Sequence, residues 1–129
     1  MERADPLTLR TLADATMQRT AEEMQGILQA LAARLDPFPN FAGMTTLQAV
    51  EVDPEGFIPK ERGCVVLCQD AEFYELALKL VPPVGEFADG MDQVDELKQL
   101  EMPPHEYIPY AYAAIRELAR LLHGRSPRA

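Results

Sequence analysis

The N-terminal segment has the apolar spacing of an amphipathic helix. Asp5-Pro6 is typical of a helix start, with Asp as the N-cap and Pro in the first turn. Asp36-Pro37 is typical of a helix end, because the residue before proline disfavours the helical conformation. The apolar positions between them recur at steps of about 3.6 residues: Leu9, Leu12, Met17, Met24, Ile27 or Leu28, Leu31 and Leu35. The pattern predicts one helix over about residues 6–35.

Two shorter segments have the patterns of strands. Residues about 45–53 place Val50 and Val52 on one face if the chain is extended. Residues about 63–69 contain the continuous apolar run Cys64-Val65-Val66-Leu67-Cys68, which is typical of a buried strand. The signature Asp53-Pro54-Glu55-Gly56 between them predicts a type I turn.

Two further segments fit more than one structure. Residues 73–81 alternate like a strand, yet Glu75 and Lys79 would also pair as i,i+4 neighbours on a helix. We favour the strand, because a third strand turns a marginal hairpin into a stable meander. Residues 92–102 fit either a helical turn or an edge strand, and the pattern does not separate the two.

The C-terminal segment predicts a second helix over about residues 104–123, opened by Pro103-Pro104. Its apolar stripe is Ile108, Tyr112, Ile115, Ala119 and Leu122. The whole chain, 1–129, therefore predicts a single α+β domain. It has a long N-terminal helix, an antiparallel meander of three or four strands, and a C-terminal helix packed on the sheet.

The length of the first helix predicts a homodimer. Thirty helical residues reach about 45 Å, whereas a chain of this size has a radius of gyration of about 14 Å. Such a helix either overhangs the body or is covered by a partner.

Charge narrows the classes of partner. Twelve basic and twenty-one acidic residues give the 129-residue chain a net charge of −9, and residues 65–110 carry ten acids and two lysines. We therefore expect no nucleic-acid binding and no membrane binding, since both surfaces are anionic.

The chain opens without an apolar leader, so we expect a cytoplasmic protein whose two cysteines are reduced thiols. A strand also places Cys64 and Cys68 about 13 Å apart, too far for a disulfide.

The candidate binding residues cluster around His105. Glu101, His105, Glu106, Tyr107 and Tyr110 form the one concentration of imidazole, carboxylate and phenol in the chain. Such groups bind divalent metals or act as an acid–base pair. A zinc site usually needs three protein ligands, however, and the double proline breaks the helical register between Glu101 and His105. The alternative without a binding role is that His105 and Glu106 are solvated first-turn residues and that the tyrosines pack in the core or in a dimer interface.

The sequence thus supports two interpretations, with no catalytic residue, metal site or cofactor assigned. The leading one is a small non-enzymatic interaction or regulatory domain that acts as a homodimer, with a further protein as a second kind of partner. The alternative is a small-molecule or metal-binding protein, or an enzyme, with a pocket around His105, Glu101, Tyr107 and Tyr110. A thiol redox or cysteine–metal role is a third hypothesis, against which the buried, β-branched setting of Cys64 and Cys68 weighs.

Overall fold

The computed structural model describes residues 5–41, 47–54, 63–81 and 92–125. Four strands form one antiparallel sheet in the order β1-β2-β3-β4, between an N-terminal and a C-terminal helix. The elements are α1 (Pro6–Arg34), β1 (Ala49–Glu51), β2 (Cys64–Cys68), β3 (Phe73–Val81), β4 (Asp92–Gln99) and α2 (Pro104–Arg125). The predicted α+β architecture, a meander between two helices, is confirmed.

Strand pairing settles the two ambiguous segments. Residues 73–81 form β3, which pairs with β2 on one side and β4 on the other, as in Leu76 opposite Leu97. Residues 92–99 form the edge strand β4, so the extended alternative is the right one for this segment. Strand β1 is shorter than predicted, and its predicted start at residues 45–46 lies outside the described residues, as do Glu55 and Gly56 of the predicted turn.

Helix α1 begins and ends where the sequence predicts. The Asp5 side chain accepts a hydrogen bond from the Leu7 backbone N–H at 3.0 Å, and Pro6 occupies the first turn. At the other end the chain leaves the helix at Leu35, followed by a cis Asp36–Pro37 peptide. The two Asp-Pro pairs therefore mark both ends of a helix of 29 residues.

Both helices pack on one face of the sheet. Val65, Leu67 and Phe73 project from that face into a single apolar cluster. The helices contribute Leu28 and Ala32 from α1, and Tyr110, Ala111, Ala114 and Leu118 from α2. The second half of α1 therefore lies against both α2 and the sheet.

The predicted apolar stripe of α2 is wrong for Tyr112 and Ala119, whereas Ile115 and Leu122 are partly buried against the core. Tyr112 is 55% exposed and Ala119 is exposed, whereas Ala111 and Ala114 are fully buried. The small side chains of the two alanines let α2 approach its neighbours closely. Helix α2 also continues through Gly124 to Arg125 instead of ending before the glycine.

The sheet face away from the helices is also apolar. Val66 and Leu76 on that face are buried, while Cys64 and Cys68 are half-buried beside them. Leu97 on β4 is 40% exposed. Neighbouring side chains on β2 thus face two different apolar environments, which explains its unbroken apolar sequence.

Asp70 organises the turn between β2 and β3. One oxygen of its carboxylate accepts a hydrogen bond from the Glu72 backbone N–H at 3.0 Å, and the other accepts from the Tyr74 hydroxyl at 2.6 Å. The bond to Asp70 raises the pKa of Tyr74 to about 12. Ala71 takes a left-handed conformation with φ of 64°, which side chains disfavour. The two bonds from Asp70 offset that strain.

Asp70→Ala should therefore destabilise the protein by about 1–2 kcal/mol, because two turn hydrogen bonds are lost at once. Urea unfolding measures the effect. Gln69→Ala, one residue earlier and exposed, is the matched control and should stay within about 0.5 kcal/mol of wild type. Equal stabilities of the two variants would contradict the role given to Asp70.

Candidate functional site

The five predicted binding residues do not point to one place. Glu101 and His105 are exposed and Glu106 is partly exposed at the start of α2, whereas Tyr110 is buried in the core. Within residues 5–41, 47–54, 63–81 and 92–125, no three His, Cys, Asp or Glu side chains lie close enough to hold a metal ion. A pocket around His105 remains a prediction.

Tyr107 and Tyr110 pack on the same core ring. The Tyr107 ring meets Phe73 edge-on with centroids 5.5 Å apart, and the Tyr110 ring lies 6.2 Å from Phe73. Such tilted and edge-on geometries are favourable for aromatic pairs. The core-packing interpretation of these two tyrosines is therefore the one that matches the structure.

The Tyr107 hydroxyl is buried and has no hydrogen-bond partner among the described residues. Burial raises the pKa of Tyr107 to about 12, and the negative charge of Glu72 adds to this shift. Glu72 itself accepts a hydrogen bond from Gln25 on α1 at 3.2 Å. A small groove of about 150 Å³ between α1 and the start of α2 borders Tyr107 and Gln25.

Tyr107→Phe should leave the stability unchanged or raise it by up to about 1 kcal/mol, because the variant removes a buried polar group that has no partner. Thermal unfolding beside Tyr112→Phe, whose ring is 55% exposed and should be neutral, measures the change. A loss above about 1 kcal/mol for Tyr107→Phe alone would show that the hydroxyl is bonded in solution.

The two cysteines are free thiols with suppressed acidity. Burial raises the pKa of Cys68 to about 11, with a smaller contribution from the negative charge of Asp70. Burial also raises the pKa of Cys64, as do the charge of Glu51 and the hydrogen bond that the thiol donates to it at 3.8 Å. Because the thiolate is the nucleophile and the metal ligand, both environments weigh against reactive cysteines.

In a Cys64→Ala variant, Cys68 should react with a disulfide reagent about a hundredfold more slowly at pH 8 in the folded protein than in denaturant. The unfolded chain ionises this thiol near pH 9.0 and the folded chain near 11. The contribution of this pKa shift to the free energy of unfolding is therefore complete below pH 9 and is lost as the pH rises towards 11. Fast labelling of the folded protein at pH 8 would restore the redox hypothesis.

Among the described residues, α1 carries an exposed apolar surface. Among residues 5–20 none is buried, and the first buried residue of the helix is Ala21. At 1.5 Å per residue, the first half of α1 extends about 22 Å before the body begins to cover it. Leu9 and Leu12 in this half are 53% and 58% exposed. The overhang that the helix length predicts is thus present.

These leucines belong to a stripe that runs the length of the helix. Leu9 and Ile27 are five full turns apart and therefore lie on one line, and Ile27 is 47% exposed. Leu28, one residue further, is turned by about 100° and is fully buried in the core. We call this line the outer stripe; its members are the exposed Leu9, Leu12, Thr16 and Ile27 and the half-buried Thr20.

The two threonines make the outer stripe less polar than its sequence suggests. The Thr16 hydroxyl donates to the Leu12 carbonyl at 2.9 Å, and the Thr20 hydroxyl donates to the Thr16 carbonyl at 2.9 Å. Each hydroxyl is therefore satisfied within its own helix. A partner packed on the stripe can meet the threonine methyl groups without leaving an unpaired polar group.

Two opposite charges border the outer stripe. Arg19 and Glu23 are both exposed, one turn apart on the same flank. In the part of the chain that the structure describes, neither side chain has a hydrogen bond or an ion pair; the two salt bridges found there join Arg10 to Asp14 and Arg120 to Glu117. Both charges remain available to a partner.

The apolar spacing alone does not separate two lines of α1. It predicts one stripe through Leu9, Leu12 and either Ile27 or Leu28, although the 3.6-residue period places Leu9 and Leu12 about 100° or more from Leu28. The signal that separates them is the pair Ile27-Leu28, in which only one residue can face the core. A helical projection carried over the whole helix resolves the two lines.

The chain matches no protein-family model, no curated protein and no solved structure. Among the helices that the structure describes, none is long and apolar enough to cross a membrane.

Proposed function

We propose that this protein is a non-enzymatic interaction module that acts as a homodimer, joined by antiparallel packing of two α1 helices through their outer stripes. The observation that carries the proposal is the exposed stripe on a helix whose first half has no buried residue. Burial of a leucine is worth about 1.5–3 kcal/mol, and a two-fold axis counts each contact twice.

Charge favours a second copy of this chain as the occupant. Helix α1 contains three arginines and three acidic residues, so it is neutral while the whole chain carries −9. Two copies can therefore approach through α1 without the repulsion that other faces would produce. Pairing through the edge strand β4 is disfavoured, because its sequence DQVDELKQ carries three acids and one lysine.

The placement of the acidic bodies favours the antiparallel orientation. If Leu12 of one copy lies opposite Ile27 of the other, Arg19 comes within about 5 Å along the axis of Glu23 of the other copy and within about 2 Å of its Arg19. A parallel pair would bring both acidic bodies to the same end. The antiparallel pair separates the bodies and opposes the helix dipoles.

The proposed dimer has a defined use. Dimerisation would turn a helix that is marginal in isolation into a rigid pair of helices with one acidic body at each end. The dimer could then present two equivalent surfaces to a further protein partner. We place this assembly in the cytoplasm, where the two thiols stay reduced. The pocket around His105, Glu101, Tyr107 and Tyr110 is the alternative, and an unchanged binding profile in His105→Ala would reject it.

Leu12→Glu should weaken dimerisation at least about a hundredfold, because each dimer loses two buried leucines and gains two desolvated carboxylates. Sedimentation equilibrium measures the dissociation constant. Leu7→Glu is the matched control: Leu7 is 70% exposed but points away from the outer stripe, so this variant should dimerise like wild type. Equal weakening by both substitutions would contradict the assignment of the interface.

Charge reversal tests the orientation separately. Arg19→Glu or Glu23→Arg alone should weaken the dimer, because each sets like charges across the interface. The double reversal should restore most of the lost affinity. Additive weakening in the double variant would contradict the antiparallel register.

A further inference from the structure

A second surface, independent of the outer stripe, lies between α2 and the end of β1. A cleft of about 590 Å³ opens there, with Asp53 and Pro54 on one side and one face of α2 on the other. Its volume is in the range of small-molecule sites, about 300–1,000 Å³. All the residues that line it belong to the described part of the chain.

The cleft contains one ion pair that is closed within α2. Arg120 donates from Nε to the Glu117 carboxylate at 3.1 Å, and a second guanidinium nitrogen bonds to the other carboxylate oxygen. The hydrogen bonds from Arg120 lower the pKa of Glu117. These two charges satisfy each other, so neither attracts a ligand strongly.

Two other charges in the cleft are unpaired. The Arg116 guanidinium lies 5.7 Å from the centroid of the Tyr112 ring, which holds it by a cation–π contact and leaves its N–H donors free. Asp53, across the cleft, is exposed. Within the described ranges, neither side chain has a hydrogen bond or ion pair, to the other or to any residue.

The remaining walls are rigid and apolar. Pro54 and Pro109 border the cleft from β1 and α2, and the exposed Tyr112 ring lies beside them. Pro109 also lacks the N–H that would continue the α2 hydrogen-bond ladder. The site therefore offers a free guanidinium, a free carboxylate and an apolar wall within one opening.

We propose that this cleft binds a small amino-carboxylate with an apolar or aromatic side chain. The carboxylate of the ligand accepts hydrogen bonds from Arg116, and its ammonium group donates to Asp53. Its side chain lies against Tyr112 and the two prolines. A guanidinium is the side chain best suited to bidentate carboxylate binding, and Asp53 adds selection for the ammonium group. The proposal goes beyond dimerisation and does not depend on it.

The test is a titration of the ¹⁵N-labelled full chain by two-dimensional NMR, with three probes. L-Phenylalanine carries both charges, 3-phenylpropionate lacks the ammonium group, and phenethylamine lacks the carboxylate. We expect phenylalanine to shift the amide signals of α2 around Arg116 at concentrations up to about 10 mM, and to bind more tightly than either analogue.

Variants separate the two charges. Arg116→Gln should weaken phenylalanine binding about tenfold or more, and Asp53→Asn should do so without changing 3-phenylpropionate binding. Arg10→Gln, at the far end of α1, is the control and should bind like wild type. Absence of shifts with every probe, equal binding of phenylalanine and 3-phenylpropionate, or unchanged binding in both cleft variants would overturn the proposal.

Discussion

The structure depends on a mismatch between a helix of 29 residues and a core that covers only half of it. Phe73, Val65 and Leu67 present one apolar sheet face, and the second half of α1 and the middle of α2 fill it. The first half of α1 contributes no residue to this cluster, and its leucines are exposed. An isolated helix of this kind is marginal in water, so its stability relies on what packs against it.

The distribution of charge bears on what could pack against the exposed half of α1. The chain is strongly acidic, yet α1 is neutral and carries an outer stripe of apolar side chains and self-satisfied threonines. Because α1 has no net charge, two copies of the chain would meet there at low electrostatic cost. In α2 the charges are arranged differently: Arg120 and Glu117 neutralise each other, while Arg116 is stacked on Tyr112 and left free.

Elements that depend on local chemistry could be read from the sequence. Asp5 caps α1, and the alternation in residues 73–81 gives a strand once a neighbouring strand is available to pair with it. The sequence did not show which side of α2 is buried, because that side depends on how closely Ala111 and Ala114 approach the rest of the core. The same limit applies to sites: Asp53 and Arg116 are far apart in sequence, and only the tertiary fold places them in one cleft.

If a second copy of the chain covers the outer stripe, the protein is a dimer in solution. Native mass spectrometry of the unmodified protein at micromolar concentration is the measurement to make, because it reports stoichiometry and any bound mass together. We expect a dominant species of twice the 14.4 kDa chain mass. A species at the mass of one chain over the whole micromolar range would show that the outer stripe is not a dimer interface.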